Sequence, residues 1–365
     1  MKILQIINSL ATGGAEKLLL ETVPLYKEKG IQIDVLVLNG FEHPFMKKLQ
    51  SLNCCTIYSL GTQSVYNPWN IIKIIPFLKK YQVIHVHLFP AQYWVVLAKI
   101  ISFSSTKLIF TEHSTSNRRI NNNGLVRSID RFIYRRYTKI ICITSKVLNV
   151  MLDHTAISIK KFIVIPNGVN ITTVNKATSI QKNIFFPEAD QDYKLVMQVS
   201  SFQEPKDQLT LIRSMVLLPQ DVKLLLVGEG VLKKQHEDLV VALGLQERVL
   251  FLGLRMDIPQ LLKTADIIVL SSKYEGLSLS SIEGMASGKP FVASDVPGLS
   301  EVVTGAGVLF PAGDELALAN VILKLLQNPL YYQTIAATCQ NRATDYDIRT
   351  MVEKHITLYH SLAKS

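Results

Sequence analysis

Asp266-Ile267-Ile268-Val269-Leu270 is followed by Ser271-Ser272-Lys273-Tyr274-Glu275-Gly276-Leu277-Ser278-Leu279-Ser280-Ser281-Ile282-Glu283-Gly284-Met285-Ala286-Ser287-Gly288-Lys289-Pro290. The first five residues are apolar on both faces after Asp266, as a strand in a covered parallel sheet must be. A polar loop then leads into a segment of helical period, which stops at Gly288 with Pro290 just beyond. Pro290–Ala293 is the next apolar run. Strand, helix, strand within so short a span is a βαβ unit.

Working outward, the same alternation covers the chain. The first half carries runs at Ile3–Ile7, Ile33–Leu38, Val83–Leu88, Lys107–Phe110, Lys139–Ile143 and Phe162–Ile165. The second half carries Lys194–Val199, Val222–Val227, Val249–Leu252, Asp266–Leu270, Pro290–Ala293 and Gly307–Phe310. Between the two sets lies a polar, aperiodic stretch with Asn167-Gly168 and Phe186-Pro187 as breakers. The expected architecture is therefore α/β, with two Rossmann-like doubly wound domains facing across a cleft and ligands at the carboxyl ends of their strands. The boundaries expected are 1–168, a linker over 169–192, and 193–345. A helix over 346–365 either packs on the second domain or crosses back to the first.

A chain of 365 residues with 48% hydrophobic content suits two domains, each with its own core. Mean hydropathy is +0.22, which argues against disorder. The net charge of +10 favours anionic partners: nucleic acid, phosphorylated ligands or an anionic membrane face. Cys54, Cys55, Cys142 and Cys339 lack metal-site spacing, so a reducing cytosol is expected rather than disulfides or zinc. The apolar start Ile3–Ile7 is too short for a signal peptide, and no run of about 18 apolar residues exists to span a bilayer.

The quoted loop and helix can carry chemistry. Backbone N–H groups at Leu279, Ser280 and Ser281 and the helix dipole make an anion site suited to a diphosphate. Glu275 and Glu283 bracket the turn. Ser280-x-x-Glu283 is also a capping box, which alone would make Glu283 a helix tie. Its combination with Glu275, the strand-end position and the Gly288-Lys289-Pro290 stop favours a functional role. A second stretch is basic: Arg118, Arg119, Arg127, Arg131, Arg135, Arg136 and Lys139 stand against Asp130 alone, interleaved with Leu125, Ile129, Phe132 and Tyr134. It reads either as a solvated helix face or as a surface for anionic lipid or a phosphate-bearing acceptor.

The whole loop-helix segment resembles the Glu-x7-Glu signature of glycosyltransferase family 4, retaining enzymes of the GT-B fold. Asn8-Ser9-Leu10-Ala11-Thr12-Gly13-Gly14-Ala15-Glu16, His85-Val86-His87, Thr111-Glu112-His113, Val227-Gly228-Glu229-Gly230, Val249-Leu250-Phe251-Leu252-Gly253 and Ala293-Ser294-Asp295-Val296-Pro297-Gly298 follow in the family's order.

The resemblance implies a metal-independent retaining transferase, with no cofactor, that moves a sugar from a nucleotide donor. UDP is the expected nucleotide and GDP the runner-up. The acceptor implied is a growing, lipid-linked glycan of bacterial surface polysaccharide or capsule. By position, Gly13 and Gly14 would let the backbone approach the diphosphate and acceptor. His113 would meet the donor sugar, Lys206 would neutralise the leaving diphosphate, Glu275 would contact the transferred sugar and Glu283 the ribose. Many relatives carry Arg where this chain has Ser201, which removes a positive charge from the phosphate site; Arg255 partly compensates or lies near the base. Retaining chemistry of this type lets the departing phosphate oxygen take the acceptor's proton, so the carboxylates are not a glycosidase acid/base pair. The location implied is cytoplasmic, at the inner face of the plasma membrane, with peripheral membrane contact through Arg118, Arg119, Arg131, Arg135 and Arg136.

Competing readings are weaker. The Asp-x-Asp matches, Asp190-Gln191-Asp192 and Asp345-Tyr346-Asp347, do not follow a strand, so a metal site there is not expected. Gly228-Glu229-Gly230 lacks the third glycine of a dinucleotide fingerprint. A sugar-nucleotide epimerase of the same fold, or a glycosyltransferase-like subunit that binds without turnover, remain as alternatives. Nucleic-acid binding has no motif to support it.

Overall fold

The structure, a computed structural model, describes residues 1–113, 124–189 and 192–363. It divides into two units: Met1–Gly168 with Ile348–Ser365, and Val169–Asp347.

The first unit is built on seven strands: β1 (Lys2–Ile7), β2 (Gln32–Val37), β3 (Ile57–Ser59), β4 (Val83–His87), β5 (Lys107–Glu112), β6 (Lys139–Cys142) and β7 (Phe162–Val164). They pair in parallel in the order β3-β2-β1-β4-β5-β6-β7. Ile3, Leu4, Ile6 and Ile7 of β1 have no exposed surface, which explains a central strand with apolar side chains on both faces. β3 escapes the sequence pattern because it is three half-exposed residues at the sheet edge.

The second unit has β8 (Lys194–Val199), β9 (Val222–Val227), β10 (Val249–Gly253), β11 (Ile267–Leu270), β12 (Phe291–Ser294) and β13 (Val308–Phe310), in the parallel order β10-β9-β8-β11-β12-β13. One face is covered by the helices Gln208–Ser214, Lys233–Ala242 and Glu315–Gln327, which close a core around Phe202, Leu211, Ile212, Leu226, Phe310 and Ile322. Helices Ile258–Thr264, Leu279–Ala286 and Pro329–Ala343 form a second packed group. Strand order reverses direction between β1 and β4, and again between β8 and β11. Such reversals are where doubly wound sheets open a crevice for ligand.

One boundary differs from expectation, and one left open is resolved. The stretch expected as a linker, 169–192, belongs to the second unit and contains the helix Ile171–Lys176, capped by the Asn170 side chain accepting from Thr173 N–H. Val169, Ile171, Val174 and Phe185 are buried, and two polar bonds fasten the stretch further: Ile180 N–H donates to Thr264 Oγ1 at 2.8 Å, and Lys182 pairs with Asp266 at 2.5 Å. The helix Ile348–Ala363 belongs to the first unit, where Met351, Val352, Leu358, Tyr359 and Leu362 are buried and it packs against Gly14–Glu28. Each such side chain contributes about 1.5–3 kcal/mol on burial. Among the described residues, no helix is long and apolar enough to cross a membrane.

Candidate functional site

In the second unit, the loops after the two strands at the reversal bring Lys206 and Glu275 together. After β8 the chain runs through Ser200 and Ser201 to a single 3₁₀ turn, Glu204–Lys206, and Asp207 then adopts a left-handed φ of 44°. After β11 it runs through Ser271 and Ser272 to Glu275. The two loops are fastened together. Gln198 Nε2 donates to the Lys206 carbonyl at 3.1 Å, and Ser271 Oγ lies 2.9 Å from Gln198 Oε1 and 2.8 Å from the Asp207 carbonyl, sharing its one hydrogen between these acceptors. Lys273 N–H donates to the Pro205 carbonyl at 2.8 Å. On this frame Lys206 Nζ reaches Glu275 Oε1 at 2.5 Å, and Ser272 Oγ donates to the same oxygen at 2.8 Å. Glu275's side chain is only 9% exposed and Lys206's 24%, so the pair is largely screened from water.

The helix that follows starts at Leu279, with Ser278 as its N-cap. Its first intrahelical bond is Ile282 N–H to the Ser278 carbonyl, so the N–H groups of Leu279, Ser280 and Ser281 precede the ladder. Ser280 is thus inside the helix and is not its cap, which overturns the capping-box alternative for Glu283. Glu283 lies past the first turn and is 6% exposed. It borders a small hollow with Val199, Ser280, Ile258 and Phe291.

Close backbone approach explains two glycines nearby. Gly298 has φ +92°, and a Cβ there would stand 2.4 Å from the Glu275 carbonyl and 2.3 Å from that of Gly276. Gly228 has φ +143°, and a Cβ would stand 2.1 Å from the Ser200 carbonyl. The loops after β12 and β9 therefore lie directly on the loops that carry Glu275 and Ser201. Ser201 itself gives its carbonyl to Gln208 Nε2 at 2.9 Å. Arg255, expected to add positive charge, is held by Asp257 through two bonds of 2.8 and 2.5 Å. That hydrogen bond raises the guanidinium's pKa and lowers the Asp257 carboxyl's, so the arginine's charge is already matched.

In the first unit, Gly13 is the N-cap of the helix Gly14–Glu28 and has an ordinary φ of −98°. Its lack of a side chain makes room for Glu16: a Cβ would fall 2.3 Å from Glu16 Oε2. Burial pushes the Glu16 carboxyl up. His113 follows β5 and is half-buried; its Nε2 lies 3.2 Å from His87 Nδ1 at the end of β4. Burial lowers the His113 pKa to about 4, so the ring is neutral near pH 7.

The basic stretch is partly described; Arg118 and Arg119 lie outside the described residues. Of the rest, Arg127, Arg131 and Arg135 lie on the helix Gly124–Arg135, Arg136 just past its end, and Lys139 opens β6. Leu125 is 75% exposed, Ile129 45% and Phe132 46%, beside a hollow of about 370 Å³ lined by Ser128, Arg131, Phe132, Arg135 and Arg136. Two arginines have local work: Arg127 Nε donates to the His154 carbonyl at 2.8 Å and Arg131 to that of Ala156 at 3.2 Å, at the end of the helix Ser145–Thr155. They satisfy carbonyls at a helix C-terminus, where cations are favoured.

Two family models follow one another along the chain. The one described as Glycosyltransferase Family 4 matches residues 12–173, and the one described as Glycosyl transferases group 1 matches residues 179–343. Together they leave little of the chain unmatched, and it belongs to the family 4 glycosyltransferases of GT-B fold. Among similar proteins is N-acetyl-alpha-D-glucosaminyl L-malate synthase of Bacillus anthracis, 24% identical over 77% of this chain and 75% of that one. Another is the N-acetylgalactosamine-N,N'-diacetylbacillosaminyl-diphospho-undecaprenol 4-alpha-N-acetylgalactosaminyltransferase of Campylobacter jejuni, 23% identical over 93% of this chain and 94% of that one. In structure, Anabaena HepE crystallised with UDP-glucose matches with a TM-score of 0.84, at 23% identity, over 99% of this chain and 100% of that one.

The residues missed in sequence are those that hold the charged ones. Gln198 belongs to no recognised pattern and Ser271 and Ser272 have no assigned role in theirs, so only the loop's position at the strand reversal could have pointed to them.

Proposed function

We propose that the chain transfers a sugar from a UDP-sugar to a growing, lipid-linked glycan of a surface polysaccharide, with retention at the anomeric carbon and without a metal. The observation that carries this reading is Lys206 paired with Glu275 at the strand reversal of the second unit, beside a helix whose first N–H groups precede its ladder. A diphosphate bound there gains a cation and oriented N–H donors, which stabilise the charge that grows as the glycosidic bond breaks. Lys206 acts on the leaving diphosphate, Glu275 and His113 hold hydroxyls of the transferred sugar, and Glu283 holds the ribose. The bond from the anomeric carbon to the phosphate oxygen breaks as the acceptor oxygen attacks on the same face. The acceptor's proton passes to the departing phosphate oxygen, so no side chain need serve as base.

UDP is favoured by the likeness to the UDP-glucose complex of HepE. A lipid-linked acceptor is favoured by the Campylobacter relative, whose name gives a diphospho-undecaprenol acceptor. The exposed apolar and arginine side chains of Gly124–Arg135 suit the anionic surface on which such an acceptor resides. Contact with the inner face of the membrane follows from that placement.

The test is a screen of nucleotide sugars by thermal shift, followed by transfer assays in EDTA. UDP-sugars should raise the melting temperature, and transfer should persist in EDTA with the anomeric configuration retained. Binding without transfer to any lipid-linked glycan would instead support a non-catalytic subunit, and inversion or strict metal dependence would refute the mechanism.

A further inference from the structure

The interior of the first unit holds an unusual concentration of neutral polar rings. His85 and Tyr359 have no exposed surface, Gln5 is 3% exposed and His355 6%. Gln5 stands in the middle of β1, a position the rest of that strand fills with apolar side chains. A buried amide must find partners for both its ends. Gln5 Nε2 donates to the Tyr359 hydroxyl at 3.0 Å, and its Oε1 lies 2.7 Å from His87 Nε2.

Hydrogen positions follow from these partners. An amide oxygen only accepts, so His87 carries its proton on Nε2. Burial holds the His87 pKa well down, so the ring is neutral and its Nδ1 is bare. That bare nitrogen faces His113 Nε2 at 3.2 Å and must accept from it. His113 is also neutral, so its single proton sits on Nε2 and its Nδ1 is a lone-pair acceptor. At the other end, Tyr359 has accepted from Gln5 and has its own hydrogen left for His85 Nδ1 at 2.7 Å, whose Nε2–H reaches Thr111 Oγ1 at 2.7 Å. The helix Ile348–Ala363 is tied in a second time by Tyr26 OH to His355 Nδ1 at 2.6 Å.

We infer that Gln5, His87 and Tyr359 are positioning residues that lock His113 in its Nε2–H tautomer, so that it offers Nδ1 to a substrate hydroxyl. The chain of donors runs one way, from His113 through His87 and Gln5 to Tyr359. A helix that begins at Ile348, far along the sequence from His113, thereby fixes which atom of His113 accepts. The tautomer is a property of the unliganded fold; its use in transfer rests on His113 holding the transferred sugar, as proposed above.

The experiment is two-bond proton–nitrogen correlation NMR on the full chain labelled with ¹⁵N-histidine, with His113 and His87 assigned by substitution. Both rings should show a protonated Nε2 and a bare Nδ1. In Tyr359→Phe, which keeps the ring but frees the amide to turn, His113 should become a mixture of tautomers. Turnover in that variant should fall several-fold with the donor KM unchanged. In a His113→Ala background the same substitution should have no further effect on turnover, because it acts through the missing ring. A protonated Nδ1 or mixed tautomer for His113 in the unsubstituted protein overturns the inference, whatever the variants do. So does a Tyr359→Phe protein whose His113 keeps its tautomer. If the tautomers are as expected but His113→Ala transfers sugar at the full rate, the role of His113 in transfer fails and the buried chain stands.

Discussion

Glu275 and Glu283 are separated by eight positions and by their surroundings. Glu275 shares its Oε1 with Lys206 and Ser272, whereas Glu283 lies in the helix beside a hollow of mainly apolar side chains. Glu275→Gln removes the charge that Lys206 faces and should lower kcat by about 10²-fold, with a smaller change in donor affinity. Glu283→Gln should chiefly weaken donor binding, read as Kd for UDP by calorimetry. Wild-type kinetics and affinity in both variants would remove the two carboxylates from the reaction. Gly298→Ala is a sharper probe of the same loop. Its Cβ meets two carbonyls below 2.5 Å at a φ of +92°, so the loop must shift. Urea unfolding of the second unit should show a loss of about 1–3 kcal/mol, with turnover falling beyond what the stability loss explains.

At the level of elements, the helix Gly124–Arg135 and the turn that ends it divide their arginines between two tasks. Arg127 and Arg131 bond the end of a neighbouring helix, while Arg136 lies over the Phe132 ring at 4.8 Å. The double variant Arg135→Gln with Arg136→Gln therefore tests membrane contact without cutting that tie. Binding to vesicles containing anionic lipid should weaken by about 1 kcal/mol per arginine, and an unchanged affinity would count against a lipid role. The elements also show how far the sequence could be read. Among the described residues, twelve of thirteen strands announce themselves as apolar runs, because a strand covered on both faces admits little else. β3 does not, being half-exposed. The motif positions of Glu275, Glu283 and His113 are legible from strand ends and glycines. The bonds made by Gln198, Ser271, Gln5 and Tyr359 are not, because long-range side-chain pairing leaves no local period. The segment after Gly168 looked like a linker for the same reason: Asp266 and Thr264, which hold it, lie some 80 residues away.

For the molecule as a whole, His85, His87, His113 and His355, two buried and two half-buried, couple the first unit to pH. Burial lowers His113 to about 4 and His355 to about 3, and pushes His85 and His87 well down. Unfolded, each titrates near 6.5. As pH falls below that value the unfolded chain binds protons that the folded unit refuses, so stability is full above about pH 6.5 and declines progressively toward pH 4. Urea midpoints of the first unit measured at pH 7 and pH 5 should show the loss, and His355→Gln should shrink the difference. A midpoint independent of pH across that window would mean that the rings are hydrated or charged in the native protein.

The helix Ile348–Ala363 belongs to a unit whose other residues end at Gly168, so the chain between them, roughly 180 residues, is an insertion. During synthesis at about 5–20 residues per second, the first sheet waits on the order of ten to forty seconds for the helix that covers it. Throughout that interval the second unit is still being made, complete in sequence only at its end, and the polar interior around Gln5 and His85 lacks Tyr359. The nascent first unit is then the part of the polypeptide in need of a chaperone, and premature termination before Ile348 would strand it in that state.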